Sequence, residues 1–156
     1  MSGPLDIHLV DHGSSEYRET VDLRFRILRK PLGLSFTPEQ LAAESSDLHM
    51  AAFSDGRLIG CLVMTPLEST VIKMRQVAVV EELRGRGIGG EMVRCAEAAA
   101  AKRGYTLMTL SARDTAVPFY LKLGYDLVGD PYEEVTIPHR KMQKPISAGP
   151  QGYYDV

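Results

Sequence analysis

The sequence predicts an α+β fold: a mixed, mostly antiparallel central sheet flanked by helices, in the order β-α-α-β-β-β-α-β-α-β-β. Two patterns predict it. Residues 48–54 and 57–64 are strand-like arms around Asp55-Gly56, a pair suited to the tight turn of an antiparallel hairpin. The apolar run Val77 to Val80 and a second one at 107–110 flank a helical pattern, which makes a parallel strand–helix–strand unit. A chain of 156 residues suffices for one domain with a sizeable core. That domain is expected over 1–146, and 147–156 hold so little to bury that they read as a mobile tail.

Residues 6–10 form the first strand. Ser14 or Ser15 caps a helix expected to run to about Arg29, with Tyr17, Val21, Phe25 and Leu28 facing the core. Its other face carries Arg18, Asp22, Arg26 and Arg29 and reads as solvated; Arg26 or Arg29 meeting an acceptor molecule is the alternative. Lys30-Pro31-Leu32-Gly33 breaks the pattern. Thr37-Pro38-Glu39-Gln40 then combines an N-cap, a first-turn proline and a reciprocating glutamine, which starts a short second helix ending near Ser45.

The hairpin follows, with Pro66 ending its second arm. Residues 70–80 make a long strand whose first half is half-exposed and whose second half is buried. The next helix sets Ile88, Met92, Cys95, Ala96 and Ala99 on one side and is stopped by Gly104. Asp114 or Thr115 caps a short helix filled by Val117, Tyr120, Leu121 and Leu123. Residues 125–128 read as a strand, Gly129-Asp130-Pro131 as a turn, 132–137 as a strand and 139–144 as an edge strand. The final hairpin thus offers an edge on which a second copy can pair as a homodimer.

Composition narrows the function classes. A net charge of −2 marks no surface for nucleic acid. The longest apolar runs fall short of the roughly 20 residues a membrane span needs. Residues 1–15 are polar and lack a signal-peptide core. Cys61 and Cys95 read as buried free thiols of a cytoplasmic protein. No cysteine–histidine cluster has metal-ligand spacing, so no metal is expected.

The chemistry concentrates at Gly85, Gly87, Gly89 and Gly90, which open the helix after Val77–Val80. Backbone N–H groups at a helix start have no intrahelical acceptor, and the dipole there carries roughly half a positive charge. Such a loop suits a phosphate, foremost a pyrophosphate. A triphosphate loop would need Lys-Ser or Lys-Thr after its second glycine, and neither follows. Gly85, Gly87 and Gly90 match the dinucleotide fingerprint G-x-G-x-x-G. Yet four residues separate them from the strand, and 106–111 supply no ribose-binding acid. A nicotinamide-dependent enzyme is therefore the weaker reading.

Arg84-Gly85-Arg86-Gly87-Ile88-Gly89, with Val77-Ala78-Val79 upstream, resembles the coenzyme A loop of the GNAT superfamily of N-acetyltransferases. The element order matches the GNAT fold, and the resemblance runs over about residues 6–145. Phe119-Tyr120-Leu121-Lys122-Leu123-Gly124-Tyr125 is similar to the family's FYxKLGF segment. Glu134-Val135-Thr136-Ile137-Pro138-His139 resembles Glu-x-Gly-Ile-Pro-His of one branch of small bacterial members, with Thr136 in place of glycine.

The resemblance implies transfer of an acetyl group from acetyl-CoA to a primary amine of a small molecule or peptide. It implies that the backbone of Arg84, Gly85, Arg86, Gly87, Ile88, Gly89 and Gly90 holds the pyrophosphate, with Arg84 and Arg86 adding charge. Val77, Ala78 and Val79 would pair with the pantetheine arm, and a backbone N–H near Val79 would polarise the thioester carbonyl. Tyr120 is the implied acid for the departing thiolate; from spacing alone it is a core aromatic. Some members carry a strand glutamate as base, but the comparable position here is near Lys73. The base is left to Glu134, to His139, or to a water held by Glu134. A non-catalytic coenzyme A-binding module or sensor is the alternative function. For the acceptor, Arg26, Arg29 and Lys30 hint at an anionic molecule.

Overall fold

The computed structural model describes residues 4–147. The expected tail over 147–156 lies outside the described residues, Ser147 excepted. The elements are β1 (Leu5–Val10), α1 (Ser15–Arg24), α2 (Pro38–Ala42), β2 (Leu48–Ser54), β3 (Arg57–Pro66) and β4 (Val71–Val79). They continue with α3 (Ile88–Lys102), β5 (Leu107–Arg113), α4 (Val117–Lys122), β6 (Asp126–Glu134) and β7 (Ile137–Pro145). One sheet holds all these strands in the order β1-β2-β3-β4-β5-β7-β6. Every neighbouring pair is antiparallel except β4 and β5, which α3 joins across a parallel step.

Two adjacent residues of β3 show how the layers stack. Successive strand side chains point to opposite faces. Gly60 packs against Met92 of α3, while the Cys61 thiol lies 3.8 Å from the Thr20 carbonyl of α1. The two helices therefore cover opposite faces of the sheet. A methyl group at Gly60 would come within 2.8 Å of the Met92 sulfur, so glycine lets α3 approach closely. Met50, Met64, Ile72, Met92, Met108 and Met142 are fully buried around this sandwich. Each such side chain contributes about 1.5–3 kcal/mol of burial free energy.

Local signals shape the helices on the β1 side. Ser14 accepts from the Tyr17 N–H at 3.1 Å and starts α1. Thr37 and Gln40 form the reciprocal capping box of α2, at 3.1 and 3.0 Å. The helix expected to reach Arg29 is α-helical only to Arg24. A π-turn over Phe25–Arg29 and a 3-10 turn over Lys30–Leu32 follow, ending at left-handed Gly33. Phe25, expected in the core, is 36% exposed, whereas Arg24 is fully buried. The buried stripe of α1 runs Tyr17–Thr20–Arg24, because Arg24 finds a charged partner inside.

The last hairpin differs from expectation in two ways. Gly129-Asp130-Pro131 is not a turn and 132–137 is not a separate strand; β6 runs unbroken from Asp126 to Glu134. The residues 129–131 bulge between the pairs Val128–Lys141 and Tyr132–His139, where Pro131 has no N–H to give. The chain turns instead at Val135-Thr136, both with positive φ, 51° and 61°. Second, β7 is not an edge strand. It lies between β5 and β6, and the edge is β6. The charges Arg140, Lys141 and Lys144 give β7 an exposed look, but His139 and Met142 point into the protein and are buried. Among the described residues no helix is long and apolar enough to cross a membrane.

Candidate active site

The site begins where β4 and β5 part. They pair only from Val71–Leu107 to Met74–Leu110. Past Met74, β4 continues to Val79 while β5 continues to Arg113 along β7. Gln76 sits at the divergence: its φ is 55°, and the β3–β4 register shifts beside it. Such a bulge adds a residue to one strand and increases its twist. A cavity of about 920 Å³ opens between the splayed ends.

The rim of β4 offers a free hydrogen-bonding edge. Val80 N–H bonds Ile59 C=O at 2.9 Å, so Val80 and Ile59 are a hydrogen-bonded pair. Gly60 and Val79, next in register, are then a non-bonded pair whose N–H and C=O point away from each other. The Val79 amide therefore faces the opening. Val77, Ala78 and Val79 all line the cavity.

The glycine loop closes one end. Gly85 and Gly87 adopt positive φ, 79° and 82°, with open space where a side chain would lie. Gly87 caps α3 without any side-chain bond, and the first helical amide to find a carbonyl is that of Glu91, on Gly87 at 3.1 Å. The N–H groups of Ile88, Gly89 and Gly90 precede it at the positive end of a 15-residue helix. Gly89 also admits Phe119, whose ring would lie 3.2 Å from an added Cβ. Arg84, Gly85, Gly87, Ile88, Gly89 and Gly90 line the cavity; Arg86 is exposed outside it. This uncapped, side-chain-free cradle fits a diphosphate.

Tyr120, Glu134 and His139 line the same cavity. Tyr120, on α4, is 8% exposed and held edge-on by Phe119 and Tyr125 at 4.9 and 5.7 Å. Burial pushes its phenol up to about 12, so it is a protonated donor throughout the neutral range. His139 is 6% exposed and donates from Nδ1 to the Ile137 carbonyl at 2.7 Å. Since a carbonyl only accepts, that bond fixes the proton on Nδ1. Nε2 then faces the Glu134 carboxylate at 3.5 Å. The β6–β7 turn brings this pair together, because residues 134 and 139 flank it.

Behind the bulge lies a charged cluster that sequence reading did not single out. Arg24 grips Glu44 through Nη1 and Nη2 at 3.0 and 2.6 Å, and its Nε donates to Gln76 at 2.8 Å. Tyr17 donates to Glu44 at 2.9 Å, and His49 Nε2 bonds the Glu44 carbonyl at 2.9 Å. Burial alone would raise the Glu44 carboxyl, but the hydrogen bonds and charge of Arg24, with Tyr17, outweigh it and hold it below its ordinary value. No sequence signal pointed here, since the stripe expected to face the core (Tyr17, Val21, Phe25, Leu28) carries no arginine.

Comparison with known proteins agrees with this geometry. The family profile "Acetyltransferase (GNAT) domain" matches residues 35–146. An uncharacterised N-acetyltransferase of Bacillus subtilis, YitI, is 26% identical over 121 residues, covering 74% of this chain and 81% of that protein. The crystal structure of a putative N-acetyltransferase from Lactobacillus plantarum superposes with a TM-score of 0.81 at 22% identity, over 91% of this chain and 98% of that one. A GNAT family acetyltransferase from Elizabethkingia anophelis, solved with acetyl-CoA bound, gives a TM-score of 0.71 at 18% identity, over 91% and 98%. The literal dinucleotide fingerprint thus sits on a sheet of another kind. The chain belongs to the GNAT acetyltransferase family, and it is an acyltransferase.

Proposed function

We propose that residues 1–146 act as one domain that moves the acetyl group of acetyl-CoA to a primary amine. One observation carries this reading: a single cavity joins the uncapped amides of α3, the open edge of β4 and the buried phenol of Tyr120. Acetyl-CoA supplies the activated acetyl thioester. The N–H groups of Ile88, Gly89 and Gly90 and the α3 dipole hold its diphosphate, and Arg84 adds charge. Val77–Val79 pair with the amides of its arm. The Val79 N–H, directed at the opening, donates to the thioester oxygen, a preorganised bond worth a few kcal/mol in such chemistry.

The amine nitrogen bonds the carbonyl carbon as the carbon–sulfur bond breaks. Tyr120 gives its phenolic proton to the departing sulfur. The amine's surplus proton leaves to Glu134 or His139, directly or through a water. The test is release of free thiol from acetyl-CoA across a panel of amines, with acetyl-CoA binding measured separately by calorimetry. Binding and amine-dependent release support the reading; binding with no release from any amine favours the sensor alternative.

A further inference from the structure

The rest of the cavity wall narrows the acceptor, granted the transfer reaction proposed above. Ile27, Leu28, Leu32 and Leu34, from the π-turn and the segment after it, give the cavity an apolar side. Leu32 is 37% exposed there. Val135 and Ile137 of the β6–β7 turn add to it. The charges are lopsided. Leaving Arg84 to the diphosphate, the charged side chains that line the cavity are Arg29, Arg75, Arg113 and the lone acid Glu134. Glu134 already faces His139.

The three guanidinium groups are unequally engaged. Arg75 donates to Thr65 at 3.1 Å and lies 3.8 Å from Asp47. Arg113 makes no ion pair among the described residues. Arg29 is fixed in place: its Nη2 donates to the Ser35 carbonyl at 2.8 Å, and its plane lies 4.6 Å from the centre of the Phe36 ring. Its Nε has no hydrogen-bond partner but is closed to solvent, so a molecule in the cavity meets the Nη groups instead. A permanent cation held on the cavity wall calls for an anionic partner, and guanidinium N–H groups match a carboxylate.

We infer that the acceptor is an amine carrying a carboxylate and an apolar group, the chemistry of an apolar amino acid, and that Arg29 binds the carboxylate. Ile27, Leu28, Leu32 and Leu34 take the apolar group. A polycationic amine would find one carboxylate and three guanidinium groups, which rejects it.

The test measures initial rates of acetylation of leucine, methionine and phenylalanine, of the amide of each, and of spermidine. Wild type, Arg29→Gln and Arg29→Lys are compared after calorimetry with acetyl-CoA. The expected result is a kcat/KM at least about tenfold higher for the best amino acid than for its amide, expressed in KM. Arg29→Gln brings that ratio close to one, and Arg29→Lys, which keeps charge but not the guanidinium, falls between. Amides or spermidine acetylated as well as the amino acids would overturn the inference. So would a loss in Arg29→Gln that strikes amino acid and amide equally, the mark of a structural role. Acetyl-CoA binding with none of the amino acids acetylated overturns the acceptor class alone. Absence of acetyl-CoA binding overturns the transfer reaction with it.

Discussion

Arg24 Nε donates to the Gln76 side-chain oxygen at 2.8 Å, and this bond ties α1 to the residue where β4 leaves β5. Gln76 holds a left-handed backbone that non-glycine residues adopt only when their surroundings impose it. Glu44 locks the other side of the same guanidinium, and Phe36 lies 4.8 Å from it. A buried charge thus holds a residue of the cavity wall, since Gln76 lines the opening and Arg24 bonds it directly. Gln76→Leu removes the acceptor and is expected to destabilise the fold by about 1–3 kcal/mol, since a buried charged donor is left unpaired. It is also expected to weaken acetyl-CoA binding. Urea denaturation and calorimetry on the same variant check both; unchanged affinity would free the splay from this bond.

Glu44→Gln leaves Arg24, which is fully buried, without its counter-charge. Breaking a buried pair by removing one partner costs about 3–5 kcal/mol. The pH dependence has a defined sign. The folded Glu44 pKa lies below the ordinary 4.5, so the unfolded chain takes up the proton first. The pair's stabilisation is complete above about 4.5 and is lost as the pH falls through the lower folded value. Urea midpoints measured from pH 7 to pH 3 are expected to show this acid limb in wild type and to lack its Glu44 component in the variant.

Gly87→Ala tests the cradle. At φ 82° nothing lies within 4 Å of an added Cβ, so the substitution meets no clash. Its cost is backbone strain of about 1–2 kcal/mol, relieved only if the cap of α3 shifts. A shifted cap turns the amides of Ile88, Gly89 and Gly90 away from their common focus. Calorimetry is expected to show a loss of coenzyme A affinity that exceeds any loss for Gly13→Ala, which has similar φ, 83°, but lies after β1. Equal affinities would detach the loop from the diphosphate.

How far the sequence carried the reading follows from the range of each signal. The capping box of Thr37 and Gln40, the Asp55-Gly56 turn and the glycine start of α3 are contained within a few residues, and all are present. The site's hidden half is not local. Arg24 meets Glu44 twenty positions on and Gln76 fifty-two positions on, and no periodicity announces such partners. Gly129-Asp130-Pro131 has a turn's composition and makes a bulge, because the pairing with β7 resumes beyond it. The charges of β7 suggest an edge, yet burial of His139 and Met142 between β5 and β6 outweighs them. His139 and Glu134 were legible as candidates, but their mutual approach required the turn at Val135-Thr136.

Tyr120 offers the sharpest separation of chemistry from binding. Its hydroxyl is the atom the proposed transfer needs, while its ring is packed between Phe119 and Tyr125. Tyr120→Phe keeps the packing and deletes the acid, so kcat is expected to fall by about 10²–10⁴ with acetyl-CoA affinity retained. The pH profile supplies an independent check. With the phenol pushed up to about 12 by burial, the acid form persists across the usual assay range. The wild-type rate should rise as the acceptor amine loses its proton and show no falling limb below about pH 10. A wild-type falling limb near pH 8, or a Phe variant as fast as wild type, would assign the proton to another group and leave Tyr120 a wall of the cavity.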